Sequence, residues 1–111
     1  MDTQLRTEID QLHAQVCSGL ADPNRILILY TLAKQNLNVS DLAKAIDLPQ
    51  STVSRHLKVL RDRDMVVAQR EGQSVYYSLR DERIIQALDL LRAMLAASLE
   101  NRAALVKSAQ S

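Results

Sequence analysis

The chain has 111 residues, a typical length for one domain, of which 47% are apolar and 24% charged. This balance excludes a disordered tail, and the lack of any run of roughly 20 apolar residues excludes a membrane span. The polar start MDTQLRTEID is unlike a signal peptide, and a single cysteine excludes an internal disulfide, so we expect a cytoplasmic protein. With two Gly, two Pro and three Tyr as the only aromatic residues, the composition favours long helices packed through aliphatic side chains.

The net charge of +1 hides an uneven distribution along the chain. Residues 1–50 hold four Lys or Arg against six Asp or Glu, whereas residues 51–80 hold six against three. Residues 81–111 hold four of each. A local positive excess suits binding to a polyanion such as DNA, although a solvated helix face has a similar composition.

Three helices are predicted in the first half of the chain. Apolar residues spaced by three or four indicate an amphipathic helix over about residues 3–20. Asp22 and Pro23 suit the N-cap and first position of a second helix, which is apolar nearly all round and is therefore expected to be central. After the polar break KQNLN, Ser40 can cap a short third helix that ends near Asp47, because the following proline disfavours further helix.

The second half begins with a fourth helix that opens near Gln50, about three residues after the third, the spacing of a helix-turn-helix. Residues 66–80 then change to a period of two around the turn REGQS, which predicts a β-hairpin. From Asp81 the helical period returns and continues to about residue 107. We therefore predict a mainly α fold with a small β-hairpin. Its five helices follow the order helix, helix, helix-turn-helix, wing, helix.

The fourth helix has two contrasting faces. At 100° per residue, Val53, Leu57 and Leu60 fall within one narrow arc, which predicts a buried face. In a helix-turn-helix, the N-terminal residues of the second helix reach the floor of the major groove. The first turn and outer face carry side chains that can contact bases or phosphates: Gln50, Ser51, Thr52, Arg55 and Lys58.

From these residues alone, a recognition helix and an ordinary solvated face both remain open. The hairpin favours the recognition helix, because Arg70, Gln73 and Ser74 surround its tip. A β-wing beside a recognition helix commonly touches the adjacent DNA backbone or minor groove.

Three successive motifs, LADPNRILILYTLA, VSDLAKAIDLPQSTVSRHLKVLRDRDMV and REGQSVYYSL, resemble those of the ArsR/SmtB family of bacterial winged-helix repressors. The resemblance runs from about Val16 to Leu79. It implies a homodimer that binds operator DNA and leaves it when an effector binds. It also implies that His56 stands beside the base readers, and its place at the border of the buried face suits packing and orientation. The implied readers of bases are Gln50, Ser51, Thr52, Ser54 and Arg55, with Lys58 in the same helix, and the expected wing and backbone contacts are Ser40, Arg61, Arg70, Gln73 and Ser74.

The metal ligands of the best-known members of that family are missing here. Their Cys-Val-Cys-Asp pattern is replaced by residues 38–41 (NVSD), and the last helix begins with residues 81–83 (DER) and contains no histidine. We therefore expect no cofactor and none of these common metal sites. His13 and Cys17, four residues apart, are weak candidates, because a dimer would double them to four ligands. A cysteine within an apolar stripe also suits simple packing.

The first and last helices carry more apolar surface than so short a chain can cover. We therefore expect residues 1–111 to form a single winged-helix DNA-binding domain whose helices over about residues 3–20 and 81–107 build a homodimer interface. The expected interface residues are Leu5, Ile9, Leu12, Val16, Leu88, Leu91, Leu95 and Leu99. A two-fold dimer predicts an inverted-repeat site with half-sites about 34 Å apart.

The main functional prediction is a sequence-specific transcriptional regulator, a repressor by the resemblance, released by an effector of unidentified chemistry. The alternative is a winged-helix module that uses the same surface for a protein partner and does not bind DNA. An enzyme is disfavoured, because no Gly-rich phosphate loop and no Ser/His/Asp set is recognisable.

Overall fold

The computed structural model describes residues 2–110. The chain forms the α-helices α1 (Thr3–Leu12), α2 (Pro23–Lys34), α3 (Val39–Ile46), α4 (Gln50–Asp62) and α5 (Arg83–Gln110), and the antiparallel strands β1 (Val66–Glu71) and β2 (Ser74–Leu79). A π-helical segment, His13–Cys17, follows α1 directly. The predicted element order and the mainly α fold with one hairpin are confirmed. Two compact units result, one reaching to Asp81 and the other, formed by α5, starting at Glu82.

The segment predicted as one helix over about residues 3–20 has a change of winding inside it. α1 begins after Asp2, whose carboxylate accepts a hydrogen bond from the Gln4 amide at 3.0 Å. Beyond Leu12 the winding widens, and the Ser18 amide donates to the carbonyl of His13. No residue of α1 or of the π-helical segment is buried. Apolar spacing predicts a helix here but does not distinguish α from π winding over five residues.

The core of the first unit is aliphatic and comes from α2, α3, α4 and the start of β1. The buried face predicted for α4 is confirmed, since Val53, Leu57 and Leu60 have no more than 1% exposure. The expectation that α2 is central is confirmed, since Ile28, Leu29 and Leu32 are buried and the helix contacts α3, α4 and β2, although Leu27 on its outer side is 50% exposed. The buried residues of this core are Ile28, Leu29, Leu32, Leu42, Ala43, Val53, His56, Leu57, Leu60, Met65 and Val66.

Asp22 caps α2, as predicted, and gives a first testable expectation. Its Oδ1 accepts a hydrogen bond from the Asn24 amide at 2.8 Å, and Pro23 occupies the first helical position. Replacing Asp22 with Ala is expected to lower the free energy of unfolding by about 1 kcal/mol, because the amide loses its acceptor. Urea unfolding measures the loss. Asp22→Asn keeps the acceptor and is the control, so an equal loss in both variants would contradict a capping role.

Ser40 is not the N-cap of α3, contrary to the sequence prediction. Asn38 caps the helix, and its side-chain oxygen accepts a hydrogen bond from the Asp41 amide at 2.8 Å. An Asn with extended backbone caps as well as a Ser does, and the helix therefore starts earlier. The preceding Leu37 pairs with Tyr77 of β2 through backbone hydrogen bonds of 2.8 and 3.2 Å. Part of the predicted polar break is thus an extended segment beside the hairpin.

The two turns that shape the helix-turn-helix and the wing are short. α3 ends at Ile46, its C-cap Asp47 has a left-handed backbone with φ of 55°, and three residues, 47–49, separate α3 from α4. The hairpin pairs Glu71 with Ser74, so its turn consists of Gly72 and Gln73 alone. Gly72 has φ of +62°, the conformation that a two-residue hairpin turn requires and that glycine adopts without strain.

α5 is a single helix of 28 residues. It starts at Arg83, two residues after the predicted start at Asp81, and ends at Gln110, three residues beyond the predicted end. Leu88 is its one buried residue among those described. Within residues 2–110, no helix combines the length and the apolar character needed to cross a membrane.

Candidate nucleic-acid interface

The outer face of α4 is polar and free of the core. Its opposite side is anchored by the buried residues Val53, Leu57 and Leu60, and this anchoring fixes which side chains face outward. Thr52 is half-buried, at the edge of the anchored side. The other predicted readers of DNA on this helix are exposed: Gln50, Ser51, Ser54, Arg55 and Lys58.

The N-terminal end of α4 lies beside the start of α3. Gln50 Nε2 donates a hydrogen bond to Ser40 Oγ at 3.4 Å, so the structure brings these two predicted residues together. Pro49 is the N-cap and provides no side-chain hydrogen bond to the first turn. An N-terminus whose amides lack a side-chain cap suits an anionic group such as a phosphate.

The middle of α4 borders a hollow of about 410 Å³ whose far wall is Tyr77 of β2. Ser54, Lys58 and Arg61 line the helix side of this hollow, together with Asp62. Lys58 Nζ lies 3.0 Å from Asp62 Oδ2, and both side chains are mainly exposed. An exposed pair of this kind is weak, so a phosphate can compete with Asp62 for the ammonium group.

The wing carries the remaining predicted contacts near its tip. Arg70 and Gln73 are exposed, and Ser74 is half-buried. Glu71, which the sequence prediction left out, is exposed directly beside the two-residue turn and is paired with Ser74 across the hairpin. Its carboxylate offsets part of the positive charge of Arg70. The wing therefore has less attraction for DNA than its arginine alone suggests.

His56 is buried beneath the outer face of α4, at 6% exposure, as its border position on the helix predicts. Arg25 of α2 places a guanidinium nitrogen 3.4 Å from His56 Nδ1. A guanidinium only donates hydrogen bonds, so the His56 ring can take part in this one only as the acceptor, through Nδ1. Sequence reasoning missed Arg25. The only signal for it is a charged residue directly before the apolar run of α2.

His13 and Cys17, the weak metal candidates, both lie in the π-helical segment and are exposed. Within residues 2–110 of one chain, no three His, Cys, Asp or Glu side chains come together as a metal-binding group. The two candidates therefore have no third protein ligand within the described part of a single chain.

The predicted interface residues form one stripe on the first helix and another on α5. Leu5, Ile9 and Leu12 are 44% to 52% exposed, and Val16 is half-buried. On α5, Leu91, Leu95 and Leu99 are 53% to 57% exposed, but Leu88 is only 5% exposed in the single chain. Leu88 thus has little surface left for a partner. The other seven residues of the predicted interface expose apolar surface that water disfavours.

Comparisons with known proteins agree with this arrangement. The family described as "Bacterial regulatory protein, arsR family" matches residues 22–67, which hold α2, α3 and α4. Over 82 residues the chain is 48% identical to the HTH-type transcriptional regulator NmtR of Mycobacterium tuberculosis, covering 71% of this chain and 68% of that protein. Over 75 residues it is 43% identical to the transcriptional repressor SmtB homolog of Synechocystis, covering 68% of this chain and 57% of that protein.

A solved structure extends the similarity to most of the chain. It is the solution NMR structure of the homodimeric winged helix-turn-helix DNA-binding domain Mb0332 from Mycobacterium bovis. The two folds match with a TM-score of 0.76 at 29% identity, over 91% of this chain and 93% of that one. The resemblance found in the motifs is confirmed, and the chain belongs to the arsR family of bacterial regulatory proteins.

Proposed function

We propose that this chain is a homodimeric, sequence-specific DNA-binding transcriptional regulator that reads the major groove with α4. The observation that carries the proposal is the anchored geometry of α4. One side of this helix is fixed in the core, so the opposite side projects Ser51, Ser54 and Arg55 as a rigid polar surface. A rigid surface of this composition is suited to hydrogen bonding with base edges.

The roles divide between base reading and placement on the backbone. Arg55 is the proposed reader of guanine, because its guanidinium can donate to O6 and N7 together. Gln50, Ser51, Thr52 and Ser54 supply further donors and acceptors close to the N-terminus of α4. The proposed phosphate contacts are Ser40, Lys58, Arg61, Arg70, Gln73 and Ser74.

Dimer formation is proposed from the exposed apolar stripes on the first helix and on α5. A second copy is the natural cover for such stripes, and the similar Mycobacterium bovis domain is homodimeric. A two-fold dimer presents two copies of α4 to one face of DNA. The proposed site is therefore an inverted repeat with half-sites about one helical turn, roughly 34 Å, apart. A protein of this function acts where the chromosome lies, so the cytoplasmic location belongs to the proposal.

Repression relieved by an effector is the proposed mode of action. The similar Synechocystis protein is a transcriptional repressor homolog, and another relative, 32% identical, is the arsenical resistance operon repressor of Bacillus subtilis. In this chain, Asn38 and Ser40 stand where thiolates are expected for a soft metal, and Asn38 is already occupied as the cap of α3. The proposed effector is therefore not a thiolate-seeking metal ion.

Thiolates are missing at residues 38 and 40, and within residues 2–110 of one chain no three His, Cys, Asp or Glu side chains come together, which leads to a prediction about metals. Zinc, nickel and arsenite, each added to a preformed complex with DNA, are expected to change the affinity less than about twofold, a shift of about 0.4 kcal/mol. Fluorescence anisotropy of labelled DNA measures the effect. Release by zinc in the wild type but not in a His13→Ala variant would contradict the prediction and assign the site to the π-helical segment.

Selection from a random-sequence duplex library tests the proposed function and separates it from its rival. The wild-type chain is expected to enrich an inverted repeat with a preferred spacing. The Arg55→Ala variant is expected to lose the preference at one position of each half-site. A protein-interaction module with the same fold would enrich no sequence, and truncating Arg55 would leave its weak affinity for DNA unchanged.

A further inference from the structure

We propose that Arg25 and Arg63 are positioning residues that clamp the recognition helix α4 to the first helix and so set the half-site spacing that the dimer accepts. This inference rests on the proposed function, because it concerns how two copies of α4 are placed on one DNA duplex. Neither arginine belongs to the predicted DNA-contacting set. Both lie behind or at the end of α4.

Arg25 joins three parts of the first unit. Its Nε donates to the carbonyl of Gly19 at 2.8 Å, and one terminal nitrogen donates to the carbonyl of Ser18 at 3.2 Å. The other terminal nitrogen faces His56 Nδ1 at 3.4 Å and Asp22 Oδ2 at 4.0 Å. The side chain is only 15% exposed. One guanidinium therefore bonds the end of the first helix and touches the buried side of α4 at the same time.

Arg63 makes a second connection from the other end of α4. It is the C-cap residue of this helix, and its terminal nitrogen donates to the carbonyl of Ala14 at 2.6 Å. Ala14 lies in the π-helical segment, and the same carbonyl also accepts the hydroxyl of Ser18. Windings of this kind are rare and occur mostly as short interruptions of α-helices, frequently at functional sites. Here the π-helical segment presents a carbonyl to the end of the recognition helix.

Gly19 allows the first helix to approach this closely. A Cβ added at Gly19 would lie 2.6 Å from Met65 Sδ and 3.2 Å from Arg63 Cδ. Met65 and Arg63 follow directly on α4, so the missing side chain brings the two segments into contact. A larger residue would force the Met65 and Arg63 side chains to move from these positions.

These contacts matter because little else holds the first helix. Residues 3–17 bury no side chain in the single chain, so no core packing fixes the direction of this helix. The guanidinium hydrogen bonds at residues 14, 18 and 19 fix it instead. In the proposed dimer the first helix contributes to the two-fold interface. The clamp therefore transmits the geometry of that interface to each copy of α4.

Half-site spacing is the property that such a clamp controls. One inserted or deleted base pair shifts a half-site by about 3.4 Å and rotates it by about 34°. A rigidly held pair of recognition helices rejects that change, whereas a loosely held pair tolerates it. A general loss of protein stability does not make the dimer tolerate altered spacing, because it weakens binding to duplexes of every spacing to the same extent.

The test compares affinities for three duplexes: the inverted repeat that the wild type selects from a random library, and derivatives with one base pair added or removed between half-sites. The wild type is expected to prefer the selected spacing by at least about tenfold. Arg25→Lys keeps the charge but not the planar fork, and Arg63→Met removes the bond to Ala14. Both are expected to reduce the preference below about threefold. Lys34→Met removes an exposed cation from the same helix as Arg25 and is the control. This variant should keep the wild-type preference for the selected spacing.

The outcomes separate the clamp from the proposed function. A wild-type chain that selects no sequence overturns the proposed function, and the clamp with it. A wild type with a clear spacing preference that both arginine variants retain overturns the clamp alone. Thermal unfolding and sedimentation confirm that each variant is folded and dimeric. If Arg25→Lys fails to fold, Arg63→Met and Gly19→Ala decide the question by the same spacing measurement.

Discussion

Replacing Leu95 with Asp is expected to separate the proposed dimer into folded monomers. Leu95 is 57% exposed in the single chain and lies in the middle of the apolar stripe on α5. A two-fold interface contains the substitution twice, and burial of one leucine stabilises by about 1.5–3 kcal/mol. The dissociation constant of the dimer should therefore rise by about 100-fold or more, because every 1.4 kcal/mol is a factor of ten.

The chain offers a matched control for this experiment. Leu27 on α2 is exposed to a similar extent, at 50%, but belongs to neither predicted interface stripe. Sedimentation velocity should show monomers for Leu95→Asp and dimers for Leu27→Asp, with similar circular dichroism for both. Affinity for a two-half-site duplex should fall only in the Leu95 variant. If both variants form dimers with the same dissociation constant, the proposed interface on α5 is contradicted.

The second large effect is expected for Arg55→Ala. Arg55 is exposed on the outer face of α4, and its proposed bidentate contact with guanine is worth about 1–3 kcal/mol at each half-site. The two half-sites together contribute about 2–6 kcal/mol, so the specific affinity should fall by about 30-fold or more. Because the side chain is exposed, the free energy of unfolding should stay within about 0.5 kcal/mol of the wild type.

Lys58→Ala is the comparison that separates base reading from phosphate contact. Lys58 lies on the same face, paired weakly with Asp62, and is proposed to contact phosphate. Its loss should weaken binding to all sequences alike and make the salt dependence shallower. Arg55→Ala should instead relax the preference at one base position. Identical effects of the two substitutions would contradict the separate roles assigned to them.

The sequence predicted the elements in which apolar residues repeat with the period of a helix or a strand. The buried Val53, Leu57 and Leu60 follow from side-chain direction along a helix. The short turn between α3 and α4 follows from the proline at position 49. The period of two correctly predicted the strand β2, but its six residues are all half-buried and show no alternation in burial. The capping of α2 by Asp22 follows from local chemistry at a helix start.

What the sequence did not predict depends on contacts between distant residues or on competing local choices. Arg25 and His56 are 31 positions apart, and Arg63 and Ala14 are 49 apart. No periodicity links such pairs. Asn38 and Ser40 are both residue types that favour the N-cap. The sequence does not show that α3 starts at Val39, which makes Asn38 the cap. The exposed stripes of the first helix and α5 were predicted, but their cover by a partner stays a prediction.

The most direct test of the central claim is a salt titration of the wild-type chain on the selected duplex, followed by anisotropy. If Lys58, Arg61 and Arg70 of both copies contact phosphate, six contacts form, and the logarithm of the binding constant should fall with the logarithm of salt concentration with a slope of about −5. Binding should be tight at low salt and carry two chains per duplex. A slope near zero, or no binding at low salt, would contradict DNA recognition by α4 and leave the protein-interaction module as the better account.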